Sequence, residues 1–129
     1  MIKNYKVFLE SKKDKFPNIK KLEIDGFTVY VGKDSKSNDY LTFNIANDND
    51  LWFHVKGVPG SHVVIKVNDN LPDESIIKSA ADLAKKNSKA SKDEKVTVVY
   101  CKRKFVKKEN NMKDGQVSVD YKNSYNVTI

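Results

Sequence analysis

Cysteine, glycine and proline are scarce in this 129-residue chain, which has one cysteine, five glycines and three prolines. A single cysteine excludes an internal disulfide bond, which suits a reducing compartment. The chain has no run of about 18 apolar residues, and its N-terminus lacks the apolar segment of a signal peptide. We therefore expect a soluble, cytoplasmic protein without a membrane span.

The charge balance is basic, because 24 Lys and Arg residues stand against 17 Asp and Glu residues and give a formal net charge of +7. Such a balance favours an anionic partner, which is RNA, DNA or an acidic membrane surface. A lysine-rich solvated surface explains the same composition, so charge alone leaves both interpretations open. The length fits one domain, and the 39% hydrophobic fraction is adequate for one core.

Hydrophobic patterning predicts an α+β fold in which helices pack on a mainly antiparallel sheet. A long helix is predicted over residues 73–88 and a short helix over residues 39–46. Strands are predicted at residues 27–31, 51–55, 62–67 and 96–101. Alternating residues predict a terminal hairpin in which residues 117–121 pair with residues 125–129.

The lysine-rich residues 1–21 differ from the rest of the chain. We interpret them as an N-terminal basic arm or an edge element that precedes a single domain at residues 22–129.

The strand at residues 51–55 has two chemically different faces, because successive side chains point to opposite sides. The side chains that suit the core are Leu51, Phe53 and Val55. The opposite face carries Trp52 and His54, and continues to Lys56. An indole, an imidazole and an ammonium group together suit a nucleotide-stacking surface. A tryptophan in the most apolar part of a small domain is equally typical of a core residue.

The two histidines flank a Pro-Gly turn, so His54 and His62 approach each other if their strands are adjacent. We reject a metal site formed by these residues and Asp50, because zinc sites usually need more ligands at recognisable spacing. A Ser61–His62 catalytic pair is also rejected, because neighbouring strand residues point to opposite faces. Cys101 is interpreted as a packed strand residue rather than a catalytic thiol.

Basic residues are concentrated in several segments that could meet an RNA backbone if they converge on one surface. These residues are Lys33 and Lys36, then Lys85, Lys86, Lys89 and Lys92, and finally Lys102, Arg103, Lys104, Lys107 and Lys108. Each segment alone is more typical of a solvated face.

Residues 50–65, DLWFHVKGVPGSHVVI, strongly resemble the signature of the NFACT-R module, the RNA-binding domain of ribosome quality-control factors. Weaker resemblances follow in order at residues 31–42, 88–90, 99–100, 107–108 and 115–117. The resemblance covers roughly residues 22–129. Departures occur at Asp34, Ser35, Ser37 and Ser91, where the family commonly has amide or arginine side chains. The chain lacks the N-terminal domain, helix-hairpin-helix element and coiled coil of the full-length factors, and its Met1 start favours a standalone protein.

The resemblance implies RNA as the partner, either tRNA or rRNA, with the ribosome as a further candidate. The motif and the basic segments together give the expected RNA-binding residues, which are Lys33, Lys36, Asn38, Asp50, Trp52, His54, Lys56, Ser61, His62, Lys89, Lys102, Arg103, Lys104, Lys107 and Lys108. We expect no catalytic residue, metal or cofactor.

Three alternatives remain open at this point. The first is a DNA-binding or nucleic-acid-sensing module, because phosphate contacts need not exclude DNA. The second is an enzyme acting on a nucleotide or tRNA, with His54 or His62 as general acid or base. The third is a protein–protein adaptor on the ribosome. The sequence does not predict an oligomeric state.

Overall fold

A computed structural model describes residues 16–129, and these residues form an antiparallel sheet with a helical layer on each face. The strands are β1 Ile19–Ile24, β2 Phe27–Gly32, β3 Leu51–Val55, β4 Val63–Ile65, β5 Thr97–Lys102, β6 Val106–Lys107, β7 Ser118–Val119 and β8 Tyr125–Thr128. The helices are α1 Ser35–Tyr40, which continues as a π-helical turn Leu41–Ile45, and α2 Glu74–Lys86. Short 3-10 turns follow at Arg103–Phe105 and Tyr121–Asn123.

The main sheet has six strands in the order β1-β2-β4-β3-β5-β8, and β6 and β7 form a separate two-stranded ribbon. Every pairing is antiparallel. The predicted α+β class, with one long and one short helix, is confirmed. Within the part of the chain that the structure describes, no helix is long and apolar enough to cross a membrane.

Helix α2 covers one face of the sheet. Asp73 caps its N-terminus, since the Asp73 carboxylate accepts a hydrogen bond from the backbone N–H of Ile76 at 3.1 Å. Small side chains on the inner face let the helix lie close to the strands. The core residues of this layer are Val29, Val31, Phe53, Val55, Val63, Ile65 and Val98 from the sheet, and Ile76, Ala80, Ala81 and Ala84 from α2.

The other face of the sheet is also covered, and this second layer was not expected from the sequence. The π-helical turn after α1 and the β6–β7 ribbon pack there. The buried residues of this second core are Leu41, Ala46, Trp52, Val64, Val99, Cys101 and Val106. Strand β5 therefore contributes to both cores, with Val98 on one side and Val99 on the other.

Two local predictions were wrong. Helix α1 begins at Ser35 rather than near residue 39, because the Asp34 carboxylate accepts a hydrogen bond from the Ser37 N–H at 2.8 Å and caps the helix earlier. The terminal hairpin does not form, because β7 pairs with β6 and β8 pairs with β5.

The predicted N-terminal arm lies mostly outside the described residues, which begin at residue 16. Residues 19–21 belong to β1 at the edge of the sheet.

Candidate nucleic-acid interface

Trp52 is a core residue, with only 1% of its surface exposed. Its predicted orientation is confirmed, since Trp52 lies on the sheet face opposite Phe53 and Val55. The expectation of an exposed stacking surface is wrong for this side chain, because α1 and the β6–β7 ribbon cover it. Its indole N–H donates to the Thr42 hydroxyl at 3.1 Å, so the buried polar atom is satisfied.

The two histidines do approach each other, as the sequence predicted for adjacent strands. Their ring centroids are 5.4 Å apart, and both rings contact Trp52, at 5.9 Å for His54 and 5.1 Å for His62. His62 is 1% exposed, and its Nδ1 is hydrogen-bonded to the Thr42 hydroxyl at 2.8 Å. His54 is half-buried, and its ring is nearly parallel to the indole of Trp52.

Both imidazoles are neutral at pH 7. Burial lowers the pKa of His62 to about 3, and the proximity of His54 and Lys108 acts in the same direction. Burial also lowers the pKa of His54, against a hydrogen bond to the backbone of Gly60 that raises it. A general base has its pKa near the working pH, and the pKa of His62 lies far below neutrality. Burial likewise raises the pKa of the Cys101 thiol to about 11.

Asn38 and Ser61, two other expected RNA contacts, are buried, and the Asn38 side chain organises the turn at residues 57–61. The Asn38 amide donates to the Gly60 carbonyl at 3.3 Å, and its Oδ1 accepts the His62 backbone N–H at 3.0 Å. Gly60 is required here, because a Cβ atom at this residue would lie 2.7 Å from Ser88 Cβ. This contact brings the turn against the C-terminal end of α2.

Asp50 is also structural, with 1% of its surface exposed. Its carboxylate pairs with the Lys66 ammonium at 2.6 Å and accepts the backbone N–H groups of Asn47 and Val67 at 2.7 and 2.8 Å. All of its acceptor capacity therefore faces the protein.

Two predicted lysines line one groove. Lys33 precedes α1 and Lys89 follows α2, and both line a cavity of about 310 Å³. The floor includes Pro59 and Gly60 of the turn. Lys33 donates to the neutral Asn87 side chain at 2.8 Å, so its ammonium group is held in place and its charge is not cancelled.

A second cavity, of about 600 Å³, adjoins this groove, because Ser35, Asn38, Pro59 and Gly60 line both. His54 and Lys56 line this second cavity, together with the segment 112–121 that faces them. The Lys56 ammonium lies 5.3 Å from the centroid of the Tyr121 ring. We call the two adjoining cavities the lysine groove and the histidine cavity.

The remaining predicted cations do not converge on this surface. Lys36, Lys102, Lys104 and Lys107 are exposed. Lys36 lines a separate cavity of about 450 Å³, while Lys102 and Lys104 line another of about 360 Å³.

Arg103 and Lys108 make contacts with other residues of the protein. The Arg103 guanidinium donates to the Val106 carbonyl at 3.3 Å and lies over the Phe43 ring at 5.3 Å. Lys108 pairs with Asp39 at 3.0 Å and also donates to the backbone carbonyls of Lys113 and Gln116.

Sequence reasoning missed two exposed aromatic side chains, Tyr121 at 56% and Tyr125 at 65% exposure. The sequence did contain a signal for their exposure. Residues 120–126 are polar apart from the two tyrosines, so neither tyrosine has an apolar neighbour next to it in the chain. Among the described residues, His, Cys, Asp and Glu side chains do not form a group of three or more that could hold a metal ion.

A family model described as the NFACT protein RNA binding domain matches residues 15–121. The chain belongs to this family. The NFACT resemblance read from the sequence is thereby confirmed.

Similar proteins include the Rqc2 homolog RqcH of Bacillus subtilis (strain 168), which is 44% identical over 103 residues that cover 80% of this chain and 18% of that protein. Coiled-coil domain-containing protein 25 of Bos taurus is 32% identical over 97 residues, which cover 70% of this chain and 46% of that protein. The NFACT chain described here thus spans under a fifth of RqcH and under half of the bovine protein.

A solved structure supports the same relationship. The C-terminal part of the fibronectin/fibrinogen-binding protein from Streptococcus suis superposes on this NFACT domain with a TM-score of 0.77 at 36% identity. The match covers 84% of this chain and 43% of the other.

Proposed function

We propose that this chain is an RNA-binding module that takes part in ribosome-associated quality control and binds tRNA or rRNA without catalysis. The observation that carries the proposal is the lysine groove, found in a chain that belongs to the NFACT RNA-binding family. Two exposed ammonium groups in the lining of a polar groove suit the phosphates of a nucleic-acid backbone.

The charge within the groove supports this use. Asp34 lines the groove as well, and its carboxylate caps α1 by accepting the Ser37 N–H, so the groove lining has two cations and one anion. Lys33 and Lys89 both have exposed side chains that line the groove, so a backbone lying in it gains two charge contacts. Lys56, beyond the shared floor, extends the cationic path by one residue.

Competition binding tests the proposal. We expect a tRNA transcript to displace a labelled RNA at lower concentration than a DNA duplex of equal length. Equal competition would show a general nucleic-acid binder, and absence of RNA binding at low salt would contradict the proposal.

Crosslinking in cells, followed by sequencing of the bound RNA, identifies the RNA species. We expect tRNA or rRNA to be enriched, and the double variant Lys33→Ala with Lys89→Ala to lose most crosslinks. A matched control replaces Lys78 and Lys95, which are exposed and line neither cavity. If control and groove variants lose crosslinks equally, the groove is not the binding surface.

A further inference from the structure

The histidine cavity has the size and lining of a ligand site beyond the lysine groove. Its volume of about 600 Å³ falls in the range that encloses small molecules. Two flat aromatic groups line it, the half-buried His54 from the sheet and the exposed Tyr121 from the 3-10 turn at Tyr121–Asn123. Asp114 and Gln116 provide polar atoms on the facing segment.

We propose that the histidine cavity binds one unpaired nucleobase of the RNA whose backbone lies in the lysine groove. The inference rests on the proposed RNA-binding function and adds the element of RNA that is recognised. Bases that are splayed out of a helix are commonly stacked on aromatic rings and hydrogen-bonded along their edges. His54 and Tyr121 provide rings for stacking, and Asp114 accepts hydrogen bonds from exocyclic amino groups.

The distribution of charge favours a base over a phosphate inside the cavity. Burial keeps both His54 and His62 neutral, so the floor is uncharged. The Asp114 carboxylate on the wall repels a phosphate group. The Lys56 ammonium also lines the cavity and lies 5.3 Å from the centroid of the Tyr121 ring. From this position it contacts the phosphate attached to the bound nucleoside.

The wall of the cavity is held in place before any ligand binds. Lys108 pairs with Asp39 at 3.0 Å and donates to the Gln116 carbonyl at 2.7 Å, which ties segment 108–116 to α1. The backbone of Gly115 forms a hydrogen bond with His62, which connects the same segment to the sheet. A preformed cavity reduces the ordering cost of binding.

Two RNA hairpins with the same stem and the same number of phosphates test this inference. One has an ordinary loop, and the other has a loop of abasic nucleotides. We expect the ordinary loop to bind about tenfold more tightly, which is the usual value of stacking one base. The salt dependence is expected to be equal for both hairpins, since their charges are equal.

Tyr121→Ala and His54→Ala are expected to reduce this tenfold preference to nearly onefold while binding of the abasic hairpin persists. Tyr125→Ala is the matched control, because Tyr125 is also exposed and does not line the cavity. If His54→Ala does not fold, the exposed Tyr121 still provides the test.

Equal binding of the two hairpins by the unmodified protein would overturn the base-binding inference and leave the proposed RNA function standing. The same conclusion follows if Tyr125→Ala removes the preference and Tyr121→Ala does not. If neither hairpin binds at low salt, the proposed function fails together with the inference.

Discussion

The Thr42 hydroxyl lies 2.8 Å from Nδ1 of His62, and this hydrogen bond joins the helical layer to the central strands. The same hydroxyl accepts the Trp52 indole N–H at 3.1 Å. One threonine thus satisfies two buried polar groups on the sheet face opposite α2. Trp52 and His62 of the sequence motif therefore serve chiefly to pack this second layer.

Replacing Trp52 tests this structural role. Trp52→Ala is expected to lower the free energy of unfolding by about 3–5 kcal/mol, because it leaves a cavity in the second core and removes the bond to Thr42. Denaturant unfolding measures the loss. Tyr125→Ala, which removes an exposed ring, is expected to cost about 1 kcal/mol or less.

Binding measured on the folded fraction of Trp52→Ala completes the comparison. We expect its affinity for an RNA hairpin with an abasic loop to remain near that of the unmodified protein, because Trp52 does not line the lysine groove. A Trp52→Ala protein that stays stable but loses RNA affinity would instead support a base-stacking role for the indole.

The buried His62 makes stability depend on pH. Its pKa is lowered to about 3 by burial, whereas an unfolded histidine titrates near pH 6.5, so the unfolded chain takes up the proton first as pH falls. The contribution of the neutral His62 to the free energy of unfolding is fully present above about pH 6.5. It decreases as the pH falls toward 3, by up to about 1.4 kcal/mol per pH unit. The lowered pKa of His54 acts in the same direction.

Unfolding measured between about pH 7 and pH 5 avoids the usual range of carboxylates. His62→Gln is expected to be less stable at pH 7 and to show a shallower decrease over that interval. An unchanged slope in this variant would show that His62 is not the group that titrates.

Lys107 and Lys108 are adjacent, yet they are expected to respond differently to substitution. Lys108→Ala removes contacts to Asp39 and to the Gln116 carbonyl, so backbone amides at residues 113–116 should exchange hydrogen faster. Lys107 is exposed, and Lys107→Ala should leave that exchange unchanged. Equal exchange in both variants would argue that Lys108 does not hold this segment.

This pair of lysines also shows where sequence reasoning ends. Both belong to one basic segment, and nothing in the local pattern separates the exposed side chain from the paired one. The distinction depends on Asp39, which lies far away in the sequence and reaches Lys108 only through tertiary packing.

The pattern of side chains along single strands predicted local structure well. It predicted β3 and β5 and the core side of Leu51, Phe53 and Val55, because the side-chain period of a strand is a local property. The pairing partner of a strand is not local, so β7 and β8 were joined wrongly into a hairpin. The ribbon that β7 forms with β6 helps bury Trp52, and this explains why its exposure was mispredicted.

The salt dependence of tRNA binding tests the central claim, RNA binding through the lysine groove, most directly. The dissociation constant is measured across a series of salt concentrations, and binding should weaken steeply as salt rises. Lys33→Ala with Lys89→Ala should weaken binding and reduce the magnitude of the logarithmic salt slope by about 1–2, since each lysine releases about one counterion. The control variant at Lys78 and Lys95 should keep the original slope. A slope that is unchanged in the groove variant, or reduced equally in the control, would contradict the account.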